Sequence, residues 1–225
     1  MTDSSAYNIT DGIREAFPED YSDLVQRLKA KGITIGDEVG RGSIAIVYEI
    51  KGRDGQVVPD AVLRIETNES YGQLKSPAVI PVIDVTENNT FAALIVPRAV
   101  PYDNIEREDI LKFIGVLNAG GHRDYISDIH KNFKSQFMRL GDMDFPVLVD
   151  LNAVSRTPDD AKPMGALDDS HEVLGLTPDQ LRNERASAVQ MARYQQLQSQ
   201  IINRTRQSLN KAGIVIDMPE RQIAR

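Results

Sequence analysis

The run Gly40-Arg41-Gly42-Ser43-Ile44-Ala45-Ile46-Val47 places two glycines two residues apart, with small side chains at Ser43 and Ala45. Glycines at this spacing let a backbone approach phosphate oxygens closely, and small neighbours keep the tip of the turn open. β-Prone residues flank the run on both sides. A strand-turn-strand flap is therefore expected, not the helix that follows the glycines of a Rossmann or P-loop motif. The same pair also has a plain reading as turn chemistry. Further along, acidic and amide groups occur in the polar loop Asp128-Ile129-His130-Lys131-Asn132 and at Asp150, which ends an apolar run. Each is also an ordinary turn or strand-end residue. The chain has no cysteine, which excludes thiol nucleophiles, disulfides and zinc-thiolate sites. His130 and His171 lack metal-ligand spacing with each other.

The elements that must position these groups follow from periodicity. Leu24, Val25 and Leu28 recur at helical spacing between Ser22 and Lys31, with Gly32 as the stop. Five short β-prone runs come next: 33–39, 44–50, 57–65, 79–85 and 91–96. Arg53-Asp54-Gly55 joins the second to the third and Glu87-Asn88-Asn89 the fourth to the fifth, so an antiparallel meander is expected. Pro97 and Pro101 interrupt the pattern, and helical spacing returns from Glu106 to Asn118 through Ile110, Phe113, Ile114 and Leu117. A second hairpin is expected from 133–140 and 145–149. Residues 155–176 read as a loop, and a glutamine-rich helix is expected from Pro178 to about Lys211, opened by Thr177-Pro178-Asp179-Gln180.

At 225 residues the chain can bury one core or two small lobes, and 41% apolar with 26% charged residues is an ordinary globular balance. The net charge of -7 argues against a partner in nucleic acid. No apolar run approaches ~18 residues, and the start Met1-Thr2-Asp3-Ser4 lacks the blocks of a signal peptide. A soluble, cytoplasmic protein with no membrane partner is expected.

In chain order, Val39 to Glu49, a turn, and then Ala61-Val62-Leu63-Arg64-Ile65 resemble the first three strands of protein kinases. Ser76 to Val85 looks like the approach to strand four. Phe91 to Val96 with Pro97-Arg98-Ala99-Val100 looks like strand five entering the hinge. Asp128-Ile129-His130-Lys131-Asn132 resembles the catalytic loop in its Asp-x-His form, and Val147-Leu148-Val149-Asp150-Leu151-Asn152 resembles the strand and metal-binding Asp-Phe-Gly motif. The resemblance covers residues 33 to 155, and short bacterial or phage effector kinases are the nearest type.

The resemblance implies an α+β, two-lobed fold: an N-terminal helical extension over 1–32, a five-stranded antiparallel N-lobe over 33–100, and a truncated, mainly helical C-lobe over 101–225. It makes Asp128 the base that accepts a hydroxyl proton and Asn132 and Asp150 the Mg²⁺ ligands, while Gly40, Gly42, Ser43, Ala45 and Val47 cover the phosphates of ATP. Carboxylate and amide oxygens are hard ligands that suit Mg²⁺. His130 orders the loop. Arg64 stands where the family has a lysine, with Glu69 as its first candidate partner and Glu66 as the second; the planar guanidinium is not equivalent to an ammonium at a fitted site. The Asp128 to Asn132 interval is one residue shorter than the family norm, and Asp150-Leu151-Asn152 replaces Asp-Phe-Gly. His122-Arg123-Asp124 offers a rival register that would put Ile129 at the asparagine position. The implied function is transfer of the ATP γ-phosphoryl group to a protein hydroxyl, the substrate coming from a host cell if the chain is a delivered effector. The alternative is a pseudokinase or protein-interaction module.

Overall fold

A computed structural model describes residues 12–42, 45–67, 76–102, 106–119, 137–141, 146–149 and 183–217. The chain is α+β, and its residues cluster into two compact units. One draws on Met1–Tyr71, Val82–Pro97 and Asn203–Arg225, the other on Gly72–Pro81 and Arg98–Ile202.

The first unit is built on a five-stranded antiparallel sheet: β1 (Thr34–Arg41), β2 (Ala45–Lys51), β3 (Val57–Thr67), β4 (Asp84–Glu87) and β5 (Phe91–Pro97). The expected simple meander is corrected to the order β1-β2-β3-β5-β4, in which β5 lies against β3 and β4 takes the edge. Composition explains the placement. β5 reads FAALIVP and is buried at all seven positions, so it belongs inside a sheet covered on both faces. Asp84-Val85-Thr86-Glu87 is polar enough for an edge, where it pairs on one side only.

The fourth strand also begins later than the expected 79–85. Prolines at 77 and 81 withhold ladder donors, and residues 76–79 form a turn in which Ser76 Oγ accepts from the Ala78 amide at 3.2 Å.

Alternation along the strands gives the sheet two different faces. One carries Tyr48, Ile50, Leu63, Ile65, Ala93 and Ile95, all buried, and receives α2 (Pro18–Ala30). Leu24 and Leu28 of α2 are buried, and Tyr21 meets Phe91 edge to face at 5.7 Å. The short α1 (Gly12–Ala16) adds Arg14, whose guanidinium lies 4.3 Å over the Tyr21 ring and donates to the Tyr48 hydroxyl. The turn residue Asn88 accepts from the Thr90 and Phe91 amides and donates to the Asp20 carbonyl, which fixes the β4–β5 hairpin against α2.

The last part of the chain closes this unit. The helix α4 (Ala188–Lys211) ends at Gly213, whose φ of 72° suits glycine, and Ile214 donates back to Leu209. Val215 N then donates to Lys31 O at 2.8 Å, and Arg53 N donates to Ala212 O at 3.0 Å. Gly32, at φ 85°, ends α2, and a Cβ there would lie 2.8 Å from both Gly213 O and Arg53 Nε. Earlier in α4, Ser208 donates to the Asp60 carboxylate at 2.5 Å, and Arg204 lies 3.4 Å from its other oxygen.

The second unit holds α3 (Arg107–Ala119), close to the expected 106–118, and a three-stranded sheet. β7 (Phe137–Leu140) and β8 (Val147–Leu148) pair antiparallel as expected, residues 133–136 and 142–145 lying outside the described ones, and β6 (Ala99–Pro101) adds a strand that periodicity missed. Phe113 of α3 packs on Phe137 of β7 with centroids 4.8 Å apart. Asn118 donates to Glu184 O, and Ala186 N donates to Gly115 O. Gly115 is needed there, because a Cβ would stand 3.0 Å from Ala186 N. The expected helix start at Pro178 lies outside the described residues; α4 begins at Ala188. Ser187 and Gln190 supply a reciprocal capping box, each accepting from the other's amide. Gln198 of α4 holds the proline-flanked turn by donating to Ser76 O and Val79 O.

Lys31 is the main clamp of the first unit: its ammonium lies 2.8 Å from both Asp84 and Asp217. Burial pushes the Asp84 carboxyl above its ordinary value, outweighing the hydrogen bond and charge of Lys31. Burial also works to lower the Lys31 ammonium, but the hydrogen bonds it donates to Asp217 and Asp84 prevail and raise it. Lys31 therefore contributes in full below the ordinary lysine value, and that contribution is lost as pH rises through the raised one. For Asp84 the folded state keeps a proton that the unfolded state has lost, so stability falls as pH rises from the ordinary carboxylate value through the raised one. Lys31→Met leaves Asp84 buried without its cation and is expected to cost about 2 kcal/mol at neutral pH. Urea unfolding at pH 4 and pH 7 should show a smaller deficit at pH 4, because Asp84 is then relieved by protonation; an equal deficit would mean that Asp84 does not feel Lys31.

Candidate functional site

Cross-strand register decides which of the sequence candidates meet. Gly40 pairs with Val47, Val47 with Arg64, Arg64 with Leu94, and Leu94 with Val85. These five residues form one row across the sheet, on the face opposite α2, since Phe91 of the α2 face lies an odd number of positions from Leu94. The next row on this face contains Ala45, Glu66, Ala92 and Glu87. Gly40, Ala45, Val47 and Arg64 are thus neighbours.

The glycines lie where β1 meets its turn. Gly42 N donates to Ala45 O at 2.8 Å, which ties the two sides of the flap together. Register shifts between Ile35 and Glu38 and between Glu38 and Gly40 insert extra residues into β1 ahead of the flap. Neither Gly40 nor Gly42 has a positive φ. Among the described residues, a Cβ on Gly40 would meet nothing nearer than Val47 Cβ at 3.8 Å, and one on Gly42 nothing nearer than Ala45 O at 3.7 Å, both ordinary contacts.

Arg64 and Glu66 form an ion pair within β3, with Arg64 Nε 2.8 Å from Glu66 Oε2. Their side chains are 11% and 0% exposed. Glu66, the second candidate partner from sequence, pairs with Arg64, while Glu69, the first, lies outside the described residues. The reason is local: residues two apart on a strand share a face, and Ala45 and Ala92 on either side of Glu66 leave room for the guanidinium to fold over it. Such spacing was readable in the sequence, but the register that sets alanines beside Glu66 was not.

The remaining candidates, Ser43, Glu69, Asp128, His130, Asn132 and Asp150, lie outside the described residues, as does the rival triplet His122-Arg123-Asp124. Among the described residues no group of three or more His, Cys, Asp or Glu side chains could hold a metal ion, and no helix is long and apolar enough to cross a membrane. A shallow cavity of about 220 Å³ in the second unit, bordered by Glu108, Lys112, Gly115 and Tyr194, includes none of the sequence candidates. No protein-family model matches the chain, and no curated protein matches it either.

Because the described residues leave space for a Cβ at both glycines, Gly40→Ala and Gly42→Ala should each fold with unchanged or higher stability, by up to about 1 kcal/mol through reduced freedom of the unfolded chain. Thermal melting checks this, and a loss beyond about 1 kcal/mol at either position would return the glycines to a structural role.

Proposed function

We propose that this chain is an atypical minimal protein kinase that transfers the γ-phosphoryl group of ATP to a protein hydroxyl, with the five-stranded sheet as its N-lobe. The observation that carries the reading is the row Gly40–Val47–Arg64: a glycine flap that the described residues leave uncrowded, a small apolar residue and a held cation, side by side on one face. The flap fits a nucleotide, since the missing side chains at 40 and 42 leave room for phosphates against the backbone. Strand order β1-β2-β3-β5-β4 also supports a kinase-like N-lobe.

The chemistry would divide as follows. The flap excludes water from the phosphates and holds them by backbone amides, and Arg64 lends positive charge beside them. Asp128 takes the proton of the attacking hydroxyl, whose oxygen forms the new bond to the γ-phosphorus while the bond to ADP breaks. Asn132 and Asp150 would hold Mg²⁺, which neutralises phosphate charge when bound. His130 would order the loop that carries Asp128.

The replacement of lysine by Arg64 favours a second reading, a pseudokinase that presents the same scaffold to a protein partner. Incubation with radiolabelled ATP, Mg²⁺ and a protein substrate separates the two. Asp128→Ala and Asp150→Ala should each reduce label transfer by about 100-fold or more, and Arg64→Ala should do so while Arg64→Lys retains part of the activity. Gly40→Ala should weaken ATP binding without loss of fold. Transfer that is unaffected by Asp128→Ala and Asp150→Ala would overturn the assignment of the site, and an absence of both transfer and ATP-induced thermal stabilisation in the natural sequence would leave the interaction module.

A further inference from the structure

The helix α3 buries Ile110, Phe113, Ile114 and Leu117, and it carries a second stripe at Glu108, Leu111, Lys112 and Gly115, spaced so that all four share one side of the helix. This stripe lines a cavity of about 220 Å³ in the second unit, and Glu184, Ala186, Gln190 and Tyr194 complete the lining. Hydrogen bonds set its shape. Ala186 N donates to Gly115 O at 3.0 Å and Asn118 Nδ2 donates to Glu184 O at 2.9 Å, so the segment ahead of α4 is pinned along α3. A Cβ at position 115 would lie 3.5 Å from Glu184 Cγ, which puts the stem of that glutamate over the glycine. On α4, the Ser187 amide donates to the side-chain oxygen of Gln190 at 2.8 Å. The walls are therefore fixed before a guest enters, which lowers the ordering cost of binding.

Leu111, Gly115, Ala186 and the buried Tyr194 contribute apolar lining, while Glu108 and Glu184 contribute charge. Among the described residues neither carboxylate has an ion-pair or hydrogen-bond partner. The lysine of the lining, Lys112, lies 3.3 Å from Asp109 and has its charge met there. Arg185 is not part of the lining and donates to the Glu184 carbonyl at 2.7 Å. A guest that fits has a short apolar chain and a positive end. The volume lies below the ~300 Å³ at which small-molecule and cofactor sites begin, and it suits a single side chain. We propose that this cavity is a docking site for a partner protein and that the group it takes is an arginine side chain, its methylenes against the apolar lining and its guanidinium shared by Glu108 and Glu184. Arginine suits the site better than lysine, because its fork offers several donors in one plane to two carboxylates and its head is more weakly hydrated. The net charge of -7 on the chain favours the approach of a basic partner. Docking here does not depend on nucleotide binding at the Gly40–Val47–Arg64 row.

Nuclear magnetic resonance titration of the isotope-labelled chain with a short peptide of serine and alanine around one central arginine tests this. The amides of Leu111, Gly115 and Gln190 should shift together as the peptide is added. The same peptide with citrulline, which keeps the length of arginine and lacks its charge, should bind about tenfold or more weakly. Glu108→Gln and Glu184→Gln should each weaken the arginine peptide by about threefold or more and leave the melting temperature unchanged, since neither carboxylate joins one element to another. Agmatine, a free alkylguanidinium, should bind no more tightly than the peptide. An absence of shifts at these amides, equal binding of the arginine and citrulline peptides, or binding unchanged in both glutamine variants would each overturn the site. Agmatine that binds more tightly than the peptide would assign the cavity to a small organic cation and overturn the protein partner.

Discussion

The architecture of the first unit depends on β3 lying between β2 and β5. An eleven-residue strand paired on both sides has its register set from both directions, and each register aligns a particular set of side chains. A slip of one position would turn Arg64 and Glu66 toward α2 and place Leu63 and Ile65 where the ion pair now sits. The apolar content of the α2 face, with Tyr48, Leu63 and Ile95 buried beneath Tyr21, Leu24 and Leu28, opposes such a slip strongly. Hydrophobic burial on one face thereby fixes charged chemistry on the other.

Much of this was legible in the sequence, for identifiable reasons. Alternation and turn residues gave five strands, because Asp54-Gly55 and Asn88 carry turn chemistry in their own side chains and backbone freedom. Strand order was not legible, since it depends on which strand is apolar enough for the interior. The all-buried pattern of β5 held that information, but reading it requires weighing β5 against β4 and not only against its own turn. β6 was hidden by two prolines near its ends, and Ser187-Ala188-Val189-Gln190 was passed over in favour of a similar signature ten residues earlier.

The site was legible in part. Glycine spacing marked the flap, but the room for a Cβ at Gly40 and Gly42 among the described residues depends on strand register, which no local pattern contains. Arg64 stood out by its position after Val62 and Leu63, whereas its pairing with Glu66 turned on the small size of Ala45 on β2 and Ala92 on β5. Side-chain volume on neighbouring strands is a property of register, and single-strand patterns do not contain it.

The return of residues 212–217 to the end of α2 sets an order of events during synthesis. The five strands emerge from the ribosome early, but Lys31 cannot meet Asp217, nor Arg53 the Ala212 carbonyl, until more than a hundred further residues have followed. Contacts between such distant points close slowly, because the loop entropy is spent before they form. During that interval the nascent sheet has only part of its final cover, and its apolar strands are then most open to pairing with the wrong partner.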